Sequence, residues 1–121
     1  MIPEIAKSWI LMHKTENGSH DYEENFWAFT KLYKLCDEAP EQGFEIIEEI
    51  VRIDSSDRIL ANIAAGPMED LLVKHGSQFI DRVERLATSN DKFRKMLGAM
   101  WKNEISDEIW ARVQRVAGPT F

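Results

Sequence analysis

Few side chains in this chain could do chemistry: His13, His20 and His75, the single thiol of Cys36, and the adjacent carboxylates Glu23-Glu24, Glu48-Glu49 and Asp107-Glu108. Glu69, Asp70 and His75 come nearest to a metal-ligand set. Neighbours on one helix face lie three or four residues apart, but His75 follows Asp70 by five and Glu69 by six, so these side chains diverge. No HExxH and no Cys/His cluster is present. The paired carboxylates have the chemistry for acid–base work on a sugar or ester. They fall at helix starts or outward positions, however, where capping and solvation account for them. No Gly-rich phosphate loop, G-x-S-x-G elbow or dinucleotide fingerprint occurs. Cys36 has no histidine near it in sequence to act as its base, and it reads as a small apolar residue on a buried helix face. The expectation is therefore a chain with no catalytic residues, no metal and no cofactor.

At 121 residues the chain is one domain's worth, long enough to bury a core without metals or disulfides. Four Trp and six Phe argue for a firm core rather than disorder. With one cysteine no intramolecular disulfide can form, which fits a reducing compartment. The start, MIPEIAKSWILMHK, lacks a basic n-region, and Glu4 and Lys7 interrupt its apolar run, so no signal peptide is expected. No stretch approaches the ~20 apolar residues of a membrane span. A cytoplasmic protein without membrane association is expected. The net charge of −6 is uneven: residues 1–50 hold 11 acids against 4 bases (−7), and the remainder 10 acids against 11 bases (+1). An acidic half disfavours nucleic acid and suits a basic protein partner. Arg82, Arg85, Lys92, Arg94, Lys95 and Lys102 cluster in the second half, but Asp81, Glu84 and Asp91 interleave with them, as on a mixed-charge solvated face.

Helices must position whatever works here, because apolar residues recur at helical spacing throughout and no strand-like alternation appears. Eight are predicted. The first spans Pro3–Lys14. The second runs from an Asp21 N-cap to Glu38 with a broad apolar surface of Phe26, Trp27, Phe29, Thr30, Tyr33 and Cys36, which predicts burial on more than one side. The third is Pro40–Ile53, with Glu41, Glu45, Glu48 and Glu49 mostly outward. The fourth, capped by Ser56 or Asp57, presents Ile59, Leu60, Ile63 and Ala64. Gly66 is expected to stop it in a left-handed conformation, with Pro67 opening the fifth and Gly76 closing it. Asn62 is expected to bond backbone at that corner. The sixth spans Ser77–Ala87, the seventh starts at Ser89 or Asn90, and the eighth starts at Ser106 and ends before Gly118-Pro119. Phe44 matches Phe79 at an offset of 35, and Asp57, Ile59 and Ile63 match Asp91, Phe93 and Leu97 at 34. That echo has the period of helical-hairpin repeats. The fold class is all-α, seven to eight short helices packed as antiparallel hairpins in a single domain, either stacked in HEAT/TPR fashion or as an irregular bundle.

Between Asn25 and Arg115 the chain resembles a bacterial helical domain family of unknown function. The shared features are Phe26-Trp27-Ala28-Phe29, the run Leu60-Ala61-Asn62-Ile63-Ala64-Ala65-Gly66-Pro67-Met68-Glu69-Asp70-Leu71-Leu72, His75-Gly76, Phe79-Ile80 and Trp110-Ala111-Arg112-Val113-Gln114. The resemblance implies a compact helical domain from a bacterium or phage and brings no catalytic residues with it.

With no reactive constellation, the surface is expected to do the work. The leading expectation is a small acidic protein-binding module of the immunity, antitoxin or inhibitor type that masks a basic partner. Encounter would run through Glu41, Glu45, Glu48 and Glu49. Trp9, Trp27 and Trp110 are expected in the core, whereas Trp101, at a helix-to-loop transition, is a candidate interface anchor. A structural homodimer anchored by Trp101 or Phe121 and an enzyme with an unrecognised site are the alternatives.

Overall fold

The computed structural model describes residues 1–121 and contains seven helices and no strand. These are α1 (Ile2–Lys14), α2 (His20–Glu38), α3 (Pro40–Ile53), α4 (Asp57–Ala65), α5 (Pro67–Ser89), α6 (Asp91–Leu97) and α7 (Asp107–Val116). Four of them start on a side-chain cap. The oxygens of Ser19, Ser56, Asn90 and Ser106 accept the backbone N–H of Tyr22, Ile59, Phe93 and Ile109 at 3.1–3.4 Å, satisfying donors that a helix start leaves unpaired. The cap of α2 is thus Ser19 rather than Asp21, and Asp21 lies in the first turn, where its charge favours the macrodipole.

The Gly66-Pro67 corner forms where expected, with a different geometry. Gly66 has φ −121° and ψ −96°, outside the left-handed region. Its N–H donates to the Asn62 carbonyl at 3.1 Å, and Pro67 begins α5. The Asn62 side chain bonds within α4, to the Arg58 carbonyl at 2.8 Å, rather than at the corner. The break expected between the fifth and sixth helices forms at His75 (φ −133°, ψ 27°), one residue before Gly76. α5 runs from Pro67 to Ser89 as two helical segments joined at this kink. Gly76 follows the kink. A side chain there would come within 3.1 Å of Ile109, so its role is the close approach of α7 to α5.

α5 is the centre of the molecule and packs against α2, α3, α4, α6 and α7, while α1 covers α2, α3 and α4. Because α2 reaches α5 directly, the arrangement is a bundle around one helix. In a stacked array each repeat touches only its neighbours. A single apolar cluster runs through it. Phe44 and Phe79, the pair matched by the sequence echo, stack on each other at 5.3 Å with planes 10° apart, and Phe93 meets Phe44 at 6.1 Å. The end of α1 is tied to the α3–α4 turn by Lys14 Nζ and Asp54, 2.5 Å apart. That ammonium, with the Ser56 N–H, holds the Asp54 carboxyl down to about 2. No helix is long and apolar enough to cross a membrane.

One close approach sets the orientation of α2. A Cβ on Gly43 of α3 would lie 3.0 Å from both Cα and Sγ of Cys36. Gly43→Ala should gain up to about 1 kcal/mol of helix propensity and lose about 1–3 kcal/mol to overpacking against backbone that cannot retreat. We expect a net loss of stability in urea denaturation; a more stable variant would show that α2 has room to move.

Candidate functional site

Three of the four glutamates expected to meet a partner are occupied within the chain. Arg82 of α5 bonds both oxygens of Glu41 at 2.8 Å and reaches Glu48 at 3.3 Å. Its guanidinium also lies 4.4 Å from the Phe44 ring centre. Glu49 is paired with Arg52 at 2.5 and 3.0 Å, and these bonds hold its carboxyl below the usual range. Glu45 is exposed. With Glu48, Glu49 and Arg52 it lines an open groove of about 560 Å³ beside Pro3 and Asn90. The structure therefore brings these carboxylates together but interleaves them with arginines. Trp101 is 73% exposed. It sits between buried Met100 and Ile105, in a loop tied to α5 by Asn103 Nδ2 donating to Glu69 at 2.8 Å. Asn103 takes the loop's only positive φ, 40°.

The larger feature is on α2. Phe26, Trp27, Phe29 and Tyr33 are 38–52% exposed, against the expectation that this surface and Trp27 are buried. The residues α2 gives the core are Ala28, Leu32 and Cys36. They recur every four residues and include two small side chains, so α2 packs closely along that line. At about 100° per residue, Tyr22, Phe26, Phe29 and Tyr33 form a second stripe roughly a quarter turn away. Its spacing of four, three and four is that of a helix–helix seam. The stripe is ordered by its own contacts. Tyr22 meets Phe26 at 5.8 Å, Phe26 stacks on Phe29 at 5.3 Å, and Phe29 meets His13 at 6.2 Å. His13 in turn lies 3.8 Å from the buried Trp9 ring, which joins the stripe to the core. At the other end Lys74 of α5 stands 5.5 Å over Tyr33. The acidic residues Glu16, Asp21, Glu23 and Glu24 surround its N-terminal end, all exposed. Of these only Glu24 has an ionic partner, His20 at 3.1 Å.

The remaining candidates have structural roles. His75 Nε2–H donates to the Asp37 carbonyl at 2.8 Å, and Lys74 lies 3.4 Å from the Asp37 carboxylate. α2 has no basic residue in its own last turn, so α5 caps its C-terminal end from across the bundle. No group of three or more His, Cys, Asp or Glu residues is placed to hold a metal ion. Asp70 is partly buried, and this, with Glu69 beside it, raises its carboxyl above the usual range. Burial, then the Asp70 charge, pushes the Cys36 thiol up to about 12, far from the thiolate a nucleophile needs. His13 Nδ1–H donates to the Trp9 carbonyl at 2.9 Å. Its pKa lies below 6.5, mainly because burial disfavours the imidazolium and Arg58 adds to this.

Two outcomes follow. Cys36 should resist alkylation in the native protein at pH 8 and react once the chain is unfolded; rapid native labelling would mean that α2 lifts readily from α3. His13 is favoured neutral in the fold, so the unfolded chain binds more protons below its pKa. Its contribution should be complete above pH 6.5 and fall away as the pH drops below 6.5 towards the folded value. A urea-midpoint titration of wild type against His13→Gln should show that part of the acid loss removed; identical profiles would contradict it.

No curated protein and no solved structure matches this chain. A family model described as a family of unknown function, DUF6869, matches residues 15–120. That span contains Asn25–Arg115, the stretch carrying the resemblance, and includes both the α2 stripe and the Gly66-Pro67 corner. The chain belongs to the DUF6869 family.

Proposed function

We propose that this protein is a non-catalytic, acidic protein-binding module of the immunity, antitoxin or inhibitor type, and that it docks its partner on the aromatic face of α2. The observation carrying this is the row Tyr22, Phe26, Phe29 and Tyr33, in which the first three rings touch in succession and Phe26, Phe29 and Tyr33 are exposed; Trp27 of the same helix is exposed as well. Aromatic side chains are costly to leave hydrated and are the residues on which interface energy concentrates. The carboxylates at the N-terminal end of the row define the partner's chemistry. It presents apolar anchors on a surface that is basic where it meets Asp21 and Glu23. Of the glutamates of α3, Glu45 contributes most to the attraction, because Arg82 and Arg52 already offset Glu41, Glu48 and Glu49. Trp101 is a second, separate anchor.

A displayed peptide library panned on the purified chain tests this. Selected peptides should carry apolar residues at three- and four-residue spacing with lysine or arginine among them. They should lose roughly tenfold or more in affinity with Phe29→Asp, as expected for a central aromatic. Asp21→Lys with Glu23→Lys should weaken them more than Glu45→Lys, and more at low salt than at high. Peptides that are acidic, or indifferent to Phe29→Asp, would remove α2 as the docking face.

A further inference from the structure

The α2 face is self-complementary, and we infer that in the isolated protein its occupant is a second copy of this chain, with the two α2 helices antiparallel about a two-fold axis. This rests on the reading of α2 as the docking face. The residue numbers carry it. In an antiparallel pair centred between Trp27 and Ala28, Tyr22 of one copy stands level with Tyr33 of the other, and Phe26 with Phe29. The four aromatics thus form a palindrome that closes on itself. In an isologous two-fold contact residue i meets j while j meets i, and here each such pair joins like with like.

The charges along the rim have the same symmetry. Glu23 and Lys34 are eleven residues apart, which is about 20° around the helix. They therefore lie on one edge of the stripe, at opposite ends. The two-fold operation keeps that edge on the same side and reverses the ends. Each Glu23 then faces the Lys34 of the other copy, offset by only about 3 Å along the axis at 1.5 Å per residue. Both side chains are exposed, and the ion pairs α2 makes within its own chain are His20–Glu24 and Asp37–Lys74, so Glu23 and Lys34 are free to pair.

Size indicates how tightly such a pair holds. The stripe is about 16 Å long. At the exposures seen, four aromatic side chains supply on the order of 300–400 Å² per copy. Twice that, with the rims added, falls at or below the low end of stable interfaces. The dimer is a weak, reversible one, and it competes with the partner for the same aromatic residues.

Sedimentation velocity from micromolar to millimolar protein tests the inference. Wild type should pass from monomer to dimer over that range, and Phe29→Asp should remain monomeric. Glu23→Lys or Lys34→Glu alone should weaken association about tenfold by opposing like charges on both rims. The double variant Glu23→Lys/Lys34→Glu should restore it, because the swapped charges meet again across the two-fold axis. A wild type that is monomeric throughout, a dimer that survives Phe29→Asp, or a double variant no better than the single ones would overturn the inference. If the wild type is monomeric while selected peptides still depend on Phe29, the docking face stands and the dimer alone fails.

Discussion

The contact between Cys36 and Gly43 governs what this molecule shows to solvent. A helix with two apolar stripes can turn either one inward, and the choice depends on which lets it come closest to its neighbours. Ala28, Leu32 and Cys36 are small or slender, and Gly43 removes the obstruction opposite Cys36. The gain is close packing of α2 against α3 at interior density. The consequence is that the bulky stripe a quarter turn away stays outside. The same contact that stabilises the bundle leaves a thiol too buried to ionise and an aromatic face in water.

Electrostatics divides the surface in a way that formal charge conceals. The acidic first half of the chain is countered by arginines from the second half. Arg82 takes Glu41 and Glu48, and Arg52 takes Glu49; within the second half, Arg112 takes Asp81 and Glu84. Arg82 also covers the edge of the phenylalanine stack, so its stem and plane shield apolar surface while its charge is spent on α3. Among the carboxylates left without such partners are Glu16, Asp21 and Glu23 around the start of α2. The net charge describes the whole chain, but the field a partner meets is shaped by this residue-level cancellation.

Much of the architecture was legible in the amino-acid order because it depends on local chemistry. Proline at the start of α3 and α5, and serine or asparagine before α4, α6 and α7, act within a few residues. So do the apolar intervals of α3 and α7. What was not legible depends on long-range placement. Gly76 reads as part of a helix break, and the kink at His75 agrees, but its close approach to Ile109 depends on where α7 lies. His75 looks like an idle ligand until the end of α2 is brought beneath it. Glu41 looks free until Arg82 arrives from 41 residues away. The exposed face of α2 did have a signal. Small residues at 28 and 36 mark a line of close approach, and the large aromatics are offset from it. The two lines lie only a quarter turn apart, so their apolar residues read as one broad face in the sequence. The family match places the chain among relatives without assigning a task, so the reading of function rests on the surface.

The break in α5 has a mechanical side. His75 is where the helix departs from helical backbone angles, and the same residue bonds the last turn of α2 through the Asp37 carbonyl. The halves of α5 on either side of it answer to different neighbours: Lys74 to α2, Phe79 to α3, and Gly76 to α7. The last turn of α2 is therefore fastened at the residue where the central helix changes direction, so the placement of α2 and the angle between the two segments of α5 are set at one point.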